Sequence, residues 1–142
     1  QSATMDELLA GSDFVSLHCP LTEQTRGLIG ERELRMMKPS ALLINTARGP
    51  VVQESVLVRA LREGWIAGAG LDVFEEEPTP VDNPLLEMDN VVVTPHSAGI
   101  SDLTSEKQWR LSVESAIAFS KGQWPRSYVN PQVSPRWELT HG

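Results

Sequence analysis

The amino-acid sequence predicts an α/β protein with a parallel sheet of the Rossmann type and helices packed beside it. Short apolar runs of strand length alternate with segments of helical periodicity, which is the pattern of a parallel sheet with crossover helices. Glycine and proline separate most of these segments. Several apolar runs end in polar residues, and ligands of parallel sheets bind beyond the carboxyl ends of the strands. We therefore expect a binding site at one edge of the sheet.

The first third of the chain predicts two helices and two strands. Thr4 and Glu7 have the spacing of a capping box, so a short helix begins there. The first strand ends before Pro20, because proline has no N–H group to pair. Pro39 stops the second helix, and the apolar run after it is typical of a strand buried on both faces. In order, these elements cover residues 4–11, 13–18, 31–37 and 42–45.

The rest of the chain continues this alternation. Apolar residues at helical spacing predict a third helix, and Gly64 fits the position just past its end. The third strand contains Gly68 and Gly70, which allow another segment to approach its backbone closely. The last helix is the longest, and Gly122 ends it. These elements cover residues 53–63, 66–71, 90–93 and 102–121, while residues 79–89 and the tail 123–142 are expected to be irregular.

Composition and charge exclude several classes of partner. The chain has 142 residues, enough for one domain with a buried core. Its net charge of -7, without a basic block, argues against a nucleic-acid partner. No apolar run is long enough to cross a bilayer, so no membrane partner is expected, and no metal is expected either. The single cysteine, Cys19, cannot form an internal disulfide, which favours a cytoplasmic protein.

Side chains suited to chemistry follow three of the predicted strands. Arg48 follows the second strand, Asp72 and Glu77 follow the third, and His96 follows the fourth. Because the carboxyl ends of parallel strands meet at one edge, we expect these residues in one cleft. A guanidinium binds a carboxylate through two parallel hydrogen bonds, and a histidine exchanges a proton with a hydroxyl or carbonyl oxygen. Glu77 could bond the other ring nitrogen of His96 and fix its tautomer.

Each of these residues also has a simpler interpretation. Arg48 alone is typical of a surface arginine, and His96 alone of a loop histidine without a role. Glu77 belongs to a run of three glutamates that could be solvated, and Asp72 could cap a turn. Cys19 is interpreted as a small packed residue rather than a nucleophile.

Four motifs together resemble the D-isomer-specific 2-hydroxyacid dehydrogenase family, whose members include phosphoglycerate, D-lactate, formate and glyoxylate/hydroxypyruvate enzymes. The resemblance extends from about residue 13 to about residue 130, and its motifs keep the family's order and spacing. They are His18-Cys19-Pro20-Leu21-Thr22, Leu43-Ile44-Asn45-Thr46-Ala47-Arg48-Gly49, Gly68-Ala69-Gly70-Leu71-Asp72-Val73-Phe74 with Glu77-Pro78, and Thr94-Pro95-His96-Ser97-Ala98-Gly99.

The resemblance implies an oxidoreductase that transfers a hydride between NAD or NADP and a D-2-hydroxy acid or 2-keto acid. It implies that Arg48 binds the substrate carboxylate and that Glu77 and His96 act as an acid/base pair. It also implies a homodimer. The cofactor contacts that it implies come from Cys19, Pro20, Thr46, Ala47, Arg48, Asp72, His96, Ala98 and Gly99.

The sequence departs from the family at the pyrophosphate loop. Its Gly-x-Gly-x-x-Gly motif is absent, since Gly68 and Gly70 lie within a predicted strand and Val73 occupies the place of the third glycine. The acidic residue that would hold the ribose hydroxyls is absent too. We therefore expect an incomplete fold, the second half of a doubly wound NAD-binding domain over residues 1–122. The tail, residues 123–142, returns to the substrate domain in the family.

Two other functions stay open on the sequence alone. The same fold serves in transcriptional co-repressors that sense the cofactor, which would make this chain a sensing or protein-binding module. The chain could also be a truncated and catalytically inactive fragment. A half-sheet would expose an open edge and an apolar face, and both favour association with another chain.

Overall fold

The computed structural model describes residues 3–130 and 132–140 of the chain. The chain forms two compact units, the first ending at Ala98 and the second beginning at Gly99. The first unit contains the sheet and the shorter helices, and the second contains the longest helix and the tail. The expected division into residues 1–122 and residues 123–142 stays a prediction.

A four-stranded sheet forms the centre of the first unit, and every neighbouring pair of its strands is parallel. The strands lie in the sheet in the same order as in the sequence. They are β1 (Phe14–Leu17), β2 (Leu42–Asn45), β3 (Gly68–Leu71) and β4 (Val91–Val93). The predicted α/β fold with a parallel Rossmann-type sheet is confirmed.

Helices alternate with these strands as predicted. The second helix joins β1 to β2, and the third joins β2 to β3. The α-helices are α1 (Met5–Gly11), α2 (Glu31–Met36), α3 (Glu54–Arg62) and α4 (Asp102–Ser120). Two short 3-10 helices cover Gly49–Val51 and Pro84–Glu87. The observed bounds differ from the predicted ones by at most two residues, as expected for elements whose ends fray.

Local chemistry explains where the first helix begins. Glu7 donates its N–H to the hydroxyl of Thr4 at 3.3 Å, and Glu7 Oε2 accepts the N–H of Thr4 at 2.9 Å. This capping box satisfies two groups that the end of a helix would otherwise leave unpaired. The third helix begins differently, because the side chain of Gln53 does not cap it. Instead, the N–H of Glu54, the first residue of this helix, donates to the carboxylate of Glu75 in the segment after β3.

The core of the first unit lies on one face of the sheet. Apolar side chains of β1, β2 and β3 on this face pack with those of α1, α2 and α3 in a single cluster. On the opposite face, Phe14, Ser16 and Val92 are exposed. Leu42 and Ile44 of β2 are only half-buried there. Within the first unit, α1, α2 and α3 cover one face alone, so the expectation that β2 is buried on both faces is not met in this unit.

Two glycines permit backbone segments to touch. A Cβ atom on Gly49 would lie 1.7 Å from the carbonyl oxygen of Phe74, so the segment after β2 lies directly against the segment after β3. A Cβ atom on Gly68 would lie 2.5 Å from the carbonyl oxygen of Asn90. The close approach predicted for the glycines of the third strand is made by the residue that precedes β4.

The second unit is built around α4. The hydroxyl of Ser101 caps this helix by accepting a backbone hydrogen bond from its first turn. No residue of α4 is buried. In the tail, the ring of Trp124 lies 4.7 Å from that of Tyr128, and Gln123 forms an isolated bridge with Thr140. Within the described residues, no helix combines the length and apolarity that a membrane span requires.

Replacing Gly49 with alanine is expected to lower the free energy of unfolding by about 3 kcal/mol, because the new methyl group overlaps a main-chain carbonyl that cannot move aside. Urea unfolding measures the change. Gly11→Ala is the matched control, since a Cβ atom there meets nothing within 4 Å. The control should leave stability unchanged or slightly raised, and equal stability of the two variants would contradict the packing described.

Candidate active site

Glu77 and His96 form a hydrogen-bonded pair beyond the carboxyl ends of β3 and β4. His96 Nδ1 lies 2.8 Å from Glu77 Oε2. An ionised carboxylate only accepts hydrogen bonds, so Nδ1 carries the proton of this bond. Nε2 makes no hydrogen bond to the described part of the chain, which leaves it available to a ligand. We call these two residues the Glu77/His96 pair.

The second carboxylate oxygen of Glu77 is also held. Phe74 donates its N–H to Glu77 Oε1 at 3.0 Å. This bond, followed by the bond from His96, holds the pKa of Glu77 below its ordinary value against a smaller effect of burial, and the charge of Arg48 acts in the same direction. Glu77 is therefore ionised at neutral pH. The sequence left open that the glutamates of this run are simply solvated. That holds for Glu76, which is exposed and has no hydrogen bond among the described residues, but not for Glu77, whose two carboxylate oxygens are both bonded.

Asp72 is buried and organises the segment that carries His96. Its Oδ1 accepts the N–H of Ser97 at 2.8 Å and the hydroxyl of Thr94. Its Oδ2 accepts the N–H of Ala98 at 2.9 Å. Burial alone would raise the pKa of Asp72, but these hydrogen bonds outweigh it and the pKa is lowered. Asp72 therefore does hold a turn, and that turn contains His96.

The backbone of His96 adopts an uncommon conformation. Its φ angle is 53°, and among the described residues it is the one non-glycine residue with a positive φ. This left-handed conformation costs about 1 kcal/mol for a residue with a Cβ atom. The next two N–H groups along the chain both bond to Asp72, so its carboxylate stabilises the strained turn. Strain that is held in this way is typical of functional sites.

Arg48 follows β2 and is exposed. Its Nη1 donates to the carbonyl oxygen of Ala47 at 2.6 Å, and no ion pair joins it to a carboxylate of the described residues. The buried side chain of Asn45 fixes the backbone here. Asn45 Oδ1 accepts the N–H of Ala47 at 3.1 Å, and Asn45 Nδ2 donates to the carbonyl oxygen of Arg48 at 3.0 Å. The remaining donors of the guanidinium are therefore open to an anion.

Two cavities lie along this edge of the sheet. One, of about 550 Å³, follows β1 and β2 and is lined by residues 18–21 and 46–48. The other, of about 230 Å³, follows β3 and β4, and its lining includes Asp72, Glu77 and His96. A larger cavity of about 820 Å³ lies in the second unit but contains none of the predicted site residues. The candidate site is therefore in the first unit.

The predicted cofactor-binding residues divide between these cavities. Asp72 and His96 line the smaller one, and Ala98 contributes its N–H to Asp72. Gly99 is the first residue of the second unit. The larger of the two site cavities is lined by Cys19, Pro20, Thr46, Ala47 and Arg48. The contacts of all nine residues with a cofactor stay predictions.

Asn45 and His18 belong to the same edge but are absent from the set predicted from the sequence. Asn45 ends an apolar strand and is buried, so its polar side chain must find partners, but the sequence does not record that burial. His18 Nε2 lies 2.9 Å from the hydroxyl of Ser16, and His18 lines the same cavity as Arg48. Its position at the end of β1 could have marked it in the sequence.

Residues 1–98 match a family model described as "D-isomer specific 2-hydroxyacid dehydrogenase, NAD binding domain". The chain belongs to this family. Every site residue discussed above except Gly99 lies within the matched segment. The resemblance stated from the motifs is thereby confirmed.

Curated relatives in this 2-hydroxyacid dehydrogenase family include two archaeal glyoxylate reductases. The chain is 54% identical to that of Korarchaeum cryptofilum (strain OPF8) over 129 residues, which are 91% of the chain and 39% of the relative. It is 52% identical to that of Thermofilum pendens (strain DSM 2475 / Hrk 5) over 129 residues, which are 91% of the chain and 38% of the relative. The chain thus spans about two fifths of the length of these relatives.

Solved structures of the family have the same fold. The D-isomer specific 2-hydroxyacid dehydrogenase from Lactobacillus delbrueckii ssp. bulgaricus, in its NAD-complexed form, matches with a TM-score of 0.84 and 39% identity, covering 89% of this chain and 43% of that one. The enzyme from Xanthobacter autotrophicus Py2, in complex with NADPH and MES, matches with a TM-score of 0.74 and 44% identity, covering 90% and 41%. Both nicotinamide cofactors therefore occur among these neighbours.

Replacing Asp72 with asparagine should lower the free energy of unfolding by about 2 kcal/mol at neutral pH, because an amide cannot accept all three hydrogen bonds. A carboxylate whose pKa is lowered by folding stabilises the folded state above its unfolded pKa, and this stabilisation is lost as the pH falls through the folded pKa. The difference from wild type in urea unfolding should therefore shrink as the solution is acidified.

The control for this experiment is Asp89→Asn, since Asp89 is exposed and its carboxylate accepts no hydrogen bond from the described residues. This variant should follow the wild-type stability at every pH. If Asp72→Asn lowers the free energy of unfolding by the same amount at acidic and neutral pH, the role given to the carboxylate is contradicted.

Proposed function

We propose that the complete protein containing this chain is an NAD(P)-dependent oxidoreductase that interconverts a small 2-keto acid and the corresponding D-2-hydroxy acid. The observation that carries this proposal is the Glu77/His96 pair, joined at 2.8 Å beyond the sheet. Its free Nε2 is the group that exchanges a proton with the substrate oxygen. The glyoxylate reductases among the relatives support glyoxylate as the substrate to test first.

The residues at the sheet edge fit part of a dinucleotide cofactor. The cavity beyond β1 and β2 is lined by Cys19, Pro20 and Ala47, which offer small apolar walls, and by Thr46, which offers a hydroxyl. Oδ2 of Asp72 accepts one hydrogen bond from the described residues and retains capacity for a second, as an amide donor would require. We propose that these residues, with Ala98 and Gly99, hold the nicotinamide half. The nicotinamide supplies the hydride acceptor or donor when it is bound.

Arg48 is proposed to bind the carboxylate of the substrate. Its backbone is fixed through the buried side chain of Asn45, and its free guanidinium donors match a carboxylate through two hydrogen bonds. A lysine in this position would offer one compact charge instead of a planar fork. The arginine therefore contributes to the orientation of the substrate as well as to its affinity.

His96 is proposed as the acid/base. When a keto acid is reduced, the protonated ring donates its Nε2 proton to the carbonyl oxygen, and in the reverse direction neutral Nε2 takes the proton of the hydroxyl. Glu77 accepts from Nδ1 in both states, so it keeps the ring oriented while Nε2 exchanges its proton. The low pKa of Glu77 keeps this partner ionised throughout the cycle.

The chain of 142 residues is proposed to form the second half of the doubly wound domain and to lack activity by itself. It contains no Gly-x-Gly-x-x-Gly loop, and a missing pyrophosphate contact removes binding energy that orients the nicotinamide. We also propose that the complete protein is a cytoplasmic homodimer. The single cysteine supports the compartment, and the apolar residues left exposed on α4 support the association.

In the complete protein, Arg48→Lys is expected to lower kcat/KM for glyoxylate by about 100-fold, because the bidentate contact is lost. The rate is measured as glyoxylate-dependent oxidation of NADH. Arg62→Lys is the matched control, since Arg62 is exposed and forms no ion pair or hydrogen bond through its side chain among the described residues. Unchanged turnover in Arg48→Lys would refute the assignment of Arg48, and absence of turnover in the wild type would refute the proposed reaction.

The isolated chain is expected to show no saturable binding of NADH at concentrations that saturate the complete protein, because it lacks the pyrophosphate loop. Titration of NADH fluorescence against both proteins measures the difference. If the isolated chain binds NADH as tightly as the complete protein, the cofactor-sensing module is the better description of these 142 residues.

A further inference from the structure

Glu54, Glu75 and Asn83 of the first unit are joined by hydrogen bonds that the proposed mechanism does not use. Glu75 donates its N–H to Glu54 Oε2 at 2.8 Å, and Glu54 in return donates its N–H to Glu75 Oε2 at 3.4 Å. Asn83 Nδ2 donates to Glu54 Oε1 at 2.7 Å. These contacts join the start of α3 to the segment after β3 and to the start of the second 3-10 helix. We call them the Glu54/Glu75/Asn83 bridge.

The bridge leads directly to the Glu77/His96 pair. The peptide group between Phe74 and Glu75 is held on both sides, because its N–H bonds to Glu54 and its carbonyl oxygen lies against Gly49. The preceding N–H, that of Phe74, is the donor that fixes Glu77 Oε1. A shift of this peptide would therefore move the carboxylate that orients His96.

We infer that Glu54 is a positioning residue for the Glu77/His96 pair and acts through the peptide between Phe74 and Glu75. This inference rests on the proposed function and adds to it a residue that touches neither substrate nor cofactor. Glu54 sets the place of Glu77, and Glu77 sets the orientation of the ring. The reactive geometry thus depends on a carboxylate at the first position of α3.

The contacts explain why a carboxylate is needed at position 54. The N–H of Glu75 and Nδ2 of Asn83 both donate to the Glu54 carboxylate, and each bonds to a different oxygen. A glutamine can accept only one of them, and its amide group would then face the other donor. Asn83 cannot relieve this conflict by turning its amide round, because its Oδ1 accepts the N–H of Leu85 at 3.0 Å and its side chain is buried. Glu54→Gln should therefore remove one hydrogen bond of the bridge without changing the size of the side chain.

The test compares single and double variants of the complete protein. Glu54→Gln should lower kcat for glyoxylate about tenfold while KM stays within about twofold, because the acid/base pair is displaced and Arg48 is not. Asn83→Asp should also lower kcat, since it places a second carboxylate against Glu54. In the double variant that combines Glu54→Gln with Asn83→Asp, kcat should recover to within about twofold of wild type. The amide at position 54 then donates to the carboxylate at position 83. Glu76→Gln is the control from the same acidic run.

A second readout does not depend on turnover. In the 142-residue chain, hydrogen exchange of the Phe74 amide, followed by NMR, should be faster in Glu54→Gln and should return to the wild-type rate in the double variant. If the wild type shows no turnover, the proposed function fails, and this exchange rate still decides the inference about Glu54.

Several outcomes would overturn the inference while leaving the proposed function intact. One is an active wild type with unchanged kcat in Glu54→Gln. Another is a double variant in which the losses of kcat from the two single variants simply add. A third is a Glu54→Gln variant in which only KM changes. Unchanged exchange of the Phe74 amide in Glu54→Gln would overturn it by the independent readout.

Discussion

The carboxylate of Asp72 is the contact on which the rest of the candidate site depends. Asp72 follows β3, its own N–H bonds to the carbonyl oxygen of Asn45 at the end of β2, and its side chain accepts three hydrogen bonds from the segment after β4. One residue therefore connects the carboxyl ends of three strands. His96 lies in that segment with an unfavourable φ angle, and this carboxylate stabilises the turn that carries its ring.

Buried polar residues form the framework of the candidate site, and exposed residues carry the chemistry proposed for it. Within the described residues, the buried polar side chains are those of Asn45, Asp72 and Asn83, and each is hydrogen-bonded to backbone or side-chain groups. Burying a polar group is costly unless it is paired, so these contacts favour one arrangement of the loops. Arg48 and His96 remain exposed on that fixed framework, where a ligand can reach them.

Much of the fold could be predicted from the sequence, because it depends on local signals. The apolar periodicity located all four strands, and prolines and glycines marked most of the ends of elements. The Glu77/His96 contact was expected from the strand ends and from the family resemblance. Three features were not accessible. The burial of Asn45, the reciprocal bonds of Glu54 and Glu75, and the exposed second face of the sheet all depend on which segments meet in space, and no local pattern records that.

Glu77 holds the ring of His96 through Nδ1, and the proposed proton exchange requires Nε2 to stay free. The ring nitrogens of His96 report this directly in long-range proton–nitrogen NMR correlations of the chain, with Glu77→Gln as the comparison. At a pH where the ring is neutral, the wild type should show the tautomer protonated at Nδ1, and this preference should be lost in the variant. A wild-type ring protonated at Nε2, or one that does not respond to the loss of the carboxylate, would contradict it.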